Sequence, residues 1–200
     1  MLSNTSGFKV MVLAASALAI GACGKSENAG TDTTGAATSD TAGMGAMPAP
    51  NAAWTDANIF ALLDEANVAD SSHGSLASTK GTSSAVREYG RQMMRDHHTL
   101  RAQGEALAKR LNITPTPPTG DTLPAHAQRV ADMLGTTAKG NDFDKAYIDH
   151  EVEMHKSVLD IATRAMTAAQ STELKNMIQK AAPAIQGHLD KAQSIQKTMK

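Results

Sequence analysis

Of the seven histidines in this 200-residue chain, five fall where a helical pattern places a core residue, and two carboxylates do the same. Asp70 and His73 stand on one apolar repeat, His97 on a second, His150, Glu151 and His155 on a third, and His188 on a fourth. Neutral imidazole and carboxylate are the common nitrogen and oxygen ligands of zinc, iron, manganese and copper. The core of a helical bundle is where facing helices can converge them while excluding water. Glu151 and His155 are one helical turn apart, so both can meet a single ion. The candidate ligands of one transition metal ion are therefore Asp70, His97, Glu151, His155 and His188, with Asp96, His73 and His150 placed to hold ligands from behind. The competing reading of the same residues is a buried polar network without an ion.

Four long helices must position these groups. Ile59, Leu62, Leu63, Ala66, Ala69, His73 and Ala77 recur at three and four, predicting a helix from about Thr55 to Gly81. A second begins near Ser83 or Ser84 and runs through Val86, Tyr89, Met93, His97, Leu100, Gly104, Leu107 and Leu111. Pro115, Pro117 and Pro118 end it and open a crossing with a short helix over about Ala125 to Leu134. Asn141 is the expected cap of a third long helix reaching Gln170, with Asp142 and Asp144 in its first turn favoured by the helix dipole. Ser171 or Thr172 starts a fourth, through Leu174, Ile178, Ala181, Ile185, His188, Ala192, Ile195 and Met199, with a kink expected at Gln179 to Pro183.

No segment alternates as a strand does. The fold class is all-α: a ferritin-like up-down four-helix bundle of two helical hairpins, a Pro-rich crossover and a short extra helix, with small residues at the seams. Heights along the helices agree with a shared layer. With turns near Gly81 and Gln170, the offset between Asp70 and His97 is about 7 Å and that between His155 and His188 about 5 Å, within the uncertainty of where a hairpin turns.

The amino-terminal segment reads as export machinery. Lys9 precedes an apolar run from Val10 to Ile20, too short to span a ~30 Å hydrocarbon core, as in a signal peptide over residues 1–22. Ile20-Gly21-Ala22-Cys23 resembles the lipobox of bacterial lipoproteins, which makes Cys23 the lipidated residue; a simple secretory signal cut after Ala22 is the alternative. Gly24 after the cysteine is the pattern of outer-membrane sorting, so the expected location is the cell envelope, at the outer membrane facing the periplasm. Residues 23–53, rich in Gly, Ala, Ser and Thr, form a tether that cannot bury enough apolar area to order itself, and residues 54–200 form the bundle domain. The partners implied are the membrane, through the acyl anchor, and an envelope protein within reach of the tether.

Several chemistries are excluded. Nineteen Lys and Arg against 20 Asp and Glu leave no basic surface for nucleic acid. A single Cys forms no internal disulfide, and no phosphate-binding Gly loop, Gly-x-Ser-x-Gly turn or His-Glu-x-x-His is present. Met93, Met94 and Met154 beside His97, His98 and His155 suit copper, although methionine is also ordinary core filler.

Asp70 with Leu76-Ala77, Met94-Arg95-Asp96-His97, Phe143-Asp144-Lys145-Ala146-Tyr147, His155, and Pro183 followed by His188-Leu189 resemble the pattern of the bacterial domain of unknown function 4142 over about Asn58 to Gln196. The resemblance implies a ferritin-like bundle on an exported, often lipid-anchored protein, with no assigned activity. Asp70 stands where the related domains usually have Glu, and Glu151 where they often have Gln. Ferritin-like di-iron proteins carry Glu-x-x-His, but the residues three before His97, His155 and His188 are Met94, Val152 and Ile185, which argues for a mononuclear rather than a dinuclear site. On this reading the chain is a binding or stress-related envelope module, or alternatively a mononuclear metal protein or redox enzyme.

Overall fold

In the computed structural model, which describes residues 54–199, the four long helices form and a short one joins the two hairpins. They are α1 (Asp56–Lys80), α2 (Ser84–Arg110), α3 (Leu123–Thr136), α4 (Asn141–Ala168) and α5 (Thr172–Gln196), and no strand occurs among the described residues. The expected signal peptide, Cys23 and the expected tether lie outside them.

Local chemistry sets the helix limits. Thr55 caps α1 reciprocally with Asn58, and Ser83 and Ser171 cap α2 and α5 through their hydroxyls. The cap expected at Asn141 is instead Gly140, at φ 150°, and Asn141 is the first helical residue. Glycine adopts that backbone without a Cβ penalty. α5 runs as one helix through Pro183, which is exposed, as is Gln179. The carbonyl that the proline leaves without a donor therefore lies on the solvent side, and no break is needed.

Asp144 does more than favour the helix dipole. Its carboxylate accepts from the backbone amides of Thr82 (2.8 Å) and Ser83 (2.6 Å) in the α1–α2 turn. Asp56, at the start of α1, accepts in the same way from Gln170 (2.7 Å) and Ser171 (2.9 Å) in the α4–α5 turn. Each hairpin thus holds the turn of the other, which fixes the directions. α1 starts where α4 ends, and α2 starts where α4 starts, so α1 and α4 are antiparallel while α4 runs parallel to α2. The connection must therefore travel the length of the bundle. It begins at the start of α1, where Thr116 bonds Ala57 and Asn58, and reaches the end of α1, where Lys80 Nζ donates to the carbonyls of Leu134 and Gly135 at 2.7 Å.

The core divides along this axis. Val86, Tyr89, Met93, Phe143, Tyr147 and Ile148 pack near the α1–α2 turn, and Ile59, Leu62, Leu107, Ile161 and Leu174 pack at the opposite end. A smaller group, Ala66, Ala69, Met154, Val158 and Ile185, lies between. Met93 and Met154 therefore serve the core. α1 and α2 approach closely at Gly74 and Gly90, where a Cβ on either would stand 2.7 Å from the other's carbonyl oxygen.

The apolar seam predicted for α2 opens at Leu100 and Gly104, which are only half-buried. A Cβ at Gly104 would meet nothing within 4 Å. Glycine inside a helix costs about 1 kcal/mol relative to alanine, so Gly104→Ala is expected to raise unfolding stability by about that amount in urea titration. A loss of stability would mean that the space beside Gly104 is closed.

Candidate metal centre

Asp70 on α1, His97 on α2, His155 on α4 and His188 on α5 all turn into the bundle and are nearly inaccessible to solvent. One ring nitrogen from each of His97, His155 and His188 lies within 4.8 Å of the others, and Asp70, Glu151 and His155 form a second such group sharing His155. Asp70 joins the two groups, its Oδ2 standing 3.5 Å from His97 Nε2. The height offsets expected from the sequence close into one layer.

The hydrogen bonds on the far side of each ring decide what this layer offers. His97 Nδ1 meets Asn67 Oδ1 at 2.9 Å, His155 Nδ1 meets the Glu151 carbonyl at 2.9 Å, and His188 Nε2 meets Asp96 Oδ2 at 2.9 Å. All three partners are acceptor oxygens, so a neutral ring at each position places its N–H there and carries its lone pair on the other nitrogen. Those other nitrogens, His97 Nε2, His155 Nε2 and His188 Nδ1, are buried and have no hydrogen-bond partner, and neither does either carboxylate oxygen of Asp70. Three ring nitrogens and the Asp70 carboxyl are thus buried here without hydrogen-bond partners. Metal bonds of 2.0–2.1 Å in a tetrahedron put ligand atoms roughly 3.3 Å apart, so the nitrogens need only small rotations inward.

Asp96, on α2 beside His97, meets His188 of α5 rather than its neighbour. Asn67 supports His97 in the same way and was not singled out from the sequence, because Asn67 lies beside the seam of α1 and is only half-buried. His73 and His150 form a neighbouring pair outside this layer. His73 Nε2 donates to the Ala127 carbonyl on α3 at 3.1 Å, which leaves its Nδ1 to accept from His150 Nε2 at 3.1 Å. Glu151 lies behind His155, its Oε2 3.5 Å from Nδ1 and 3.5 Å from the Tyr89 hydroxyl. Tyr89 also donates to the His188 carbonyl at 3.2 Å. His98 is exposed.

Burial dominates the protonation of these groups. It raises the Asp70 carboxyl above its usual range against the opposing pull of the histidines, and it raises Glu151 well above its own, reinforced by Asp70. His155 is lowered by burial, and His97 and His150 are lowered to about 3, by burial first and then by His188 and His73 respectively. A histidine whose folded pKa lies below its unfolded value contributes stability above about pH 6.5 and loses it as pH falls toward the folded pKa. At pH 5 the loss is about 2 kcal/mol for each of His97 and His150, at 1.36 kcal/mol per unit. Urea unfolding of metal-free protein is expected to weaken steeply from pH 7 to pH 5, with a shallower slope in His150→Gln. A flat profile over that range would contradict the burial of these rings.

Among solved structures, a crystal structure of a DUF305 fragment from Deinococcus radiodurans is similar to this chain, with TM-score 0.61 and 11% sequence identity, covering 71% of this chain and 95% of that one. At that identity the likeness speaks to the fold alone. Among curated proteins no sequence matches. The family model described as Domain of unknown function (DUF4142) matches residues 41–195, which include Asp70, His97, His155, His188 and the hydrogen-bond partners of all three rings. The helical bundle and this match over most of the sequence agree, and the chain belongs to the family described as Domain of unknown function (DUF4142).

Proposed function

We propose that this protein binds one transition metal ion through His97 Nε2, His155 Nε2, His188 Nδ1 and the carboxylate of Asp70. A single observation supports the reading best: three histidines brought together in the bundle core each have one ring nitrogen hydrogen-bonded and the other buried without a partner, beside a carboxyl that also has none. A buried polar atom without a partner costs about 1–3 kcal/mol, so a cluster of them is expensive unless something binds there. An ion supplies the missing partner to all of them at once. Three nitrogens and one carboxylate oxygen are a donor set for zinc, iron, manganese or copper. Glu151 stands behind His155, where it orients that ring.

The test is elemental analysis of the full chain purified from cells grown with these metals. About one transition metal ion per chain, retained through dialysis, is the expected result. No retained metal, together with an unchanged melting temperature on adding each ion to the metal-free protein, would overturn the reading.

The same proposal places the bundle in the cell envelope on an acyl anchor at Cys23, supported by the apolar run and the lipobox-like Ile20-Gly21-Ala22-Cys23. Palmitate labelling of cells is expected to mark the wild type and not Cys23→Ser; label that persists in the variant would remove the anchor.

A further inference from the structure

The bundle is not filled beside the candidate centre. A cavity of about 370 Å³ lies between α1, α2, α4 and α5, bordered by Pro115 and Pro117 of the crossover, and Asp70 and His97 form part of its wall. This is within the usual range for small-molecule sites. The rest of the lining is chiefly apolar, with Leu63, Leu100, Ile178 and Ile185, and Gly104 leaves its share of the wall open. Polar groups line it in two places, at Asp64, Glu65 and Glu105 on one side and where the cavity meets the layer, where His97 is 2% and Asp70 0% exposed and His97 Nε2 and both Asp70 oxygens are unpartnered, as is Glu65 Oε2. Among the described lining residues Arg101 is the one cation, and Asp64 (2.7 Å) and Glu105 (3.1 Å) already neutralise it.

We propose that this cavity is a ligand chamber of the metal centre, taking a small molecule with a single metal-ligating, monoanionic head and an apolar tail. The head lies at Asp70 and His97, and the tail runs along Leu100 and Gly104. This rests on the metal reading. A divalent ion held by three neutral imidazoles and one carboxylate keeps one positive charge in a dry core, and a monoanionic head neutralises it. The apolar walls favour a hydrocarbon tail over a second polar group, and the paired Arg101 leaves no charge to hold a second anion.

The experiment loads the full chain with Co(II) and follows its visible spectrum during titration with acetohydroxamate and with hexanohydroxamate, which share a head and differ in tail. Hexanohydroxamate is expected to half-saturate at a concentration at least tenfold lower. Gly104→Phe fills the chamber from an open position, so it is expected to keep the parent cobalt spectrum and the acetohydroxamate response while losing the tenfold preference. Equal half-saturation in the wild type, or a preference that survives Gly104→Phe, overturns the chamber and leaves the metal site standing. A wild type that takes up no Co(II) overturns the metal reading itself, and the chamber with it. Should Gly104→Phe fail to fold, Leu100→Trp narrows the same wall and the same loss of preference is required of it.

Discussion

Replacing His155 by alanine is expected to lower metal affinity by roughly 10²–10³-fold and to abolish the rise in melting temperature that metal gives the wild type. Structural zinc in small peptides is held by about 10–16 kcal/mol over four ligands, so one ligand contributes roughly 2.5–4 kcal/mol, which is that range of affinity. His155 is the most informative position because it belongs to both donor groups, and its Nδ1 is fixed by the Glu151 carbonyl within its own helix. Competition against a chelator of known affinity measures the change, with helix content by circular dichroism to establish that the variant folds. Asp96→Ala, which removes the oxygen holding His188 Nε2, should lose less, about 10–100-fold. His98→Ala, at an exposed neighbour, should lose nothing. If His155→Ala binds as tightly as the wild type, the layer is a buried polar network without an ion.

The second large effect is on stability. Gly90→Val is expected to destabilise the fold by about 3 kcal/mol or more, beyond the common cost of overpacking, because the obstruction is largely backbone. A Cβ at Gly90 would lie 2.7 Å from the Gly74 carbonyl oxygen, 2.9 Å from Ala77 Cβ and 2.9 Å from Ser78 N. None of these is a flexible side-chain end, so α1 and α2 must separate. His97 lies two turns further along α2 and Asp70 one turn back along α1, so the variant should also bind metal more weakly. Urea unfolding at neutral pH decides the stability claim; a midpoint equal to the wild type would mean that the helices do not touch there. Gly104, on the same helix and stabilising when changed to alanine, is the internal contrast: one glycine admits a neighbour, and the other borders open space.

Much of the architecture was readable without coordinates because helix periodicity is a local property. The recurrence from Ile59 to Ala77 and from Leu174 to Ile195 sets both the existence of α1 and α5 and the face each buries. Serine and threonine caps gave the starts of α1, α2 and α5. The cap of α4 was misread because a single glycine in the left-handed region took the place of a side-chain oxygen. Leu100 and Gly104 continued the α2 pattern yet face a cavity, since periodicity says which way a residue points and not whether a partner fills the space.

By itself, the sequence determined that the chain forms an all-helical bundle, and spacing along helices of fixed rise allowed Asp70, His97, His155 and His188 a common depth in it to within about a turn. The tertiary structure decided which atoms are available. Asn67, the Glu151 carbonyl and Asp96 reach the three rings, two of them from neighbouring helices, and by taking one N–H each they leave the inward nitrogens bare. It also decided that Glu151 stands behind a ring, that His73 and His150 pair with each other, and that the crossover returns α4 parallel to α2. Apart from the Glu151–His155 contacts within one helix, those outcomes depend on residues far apart in the chain, and no local pattern encodes which donor meets which acceptor.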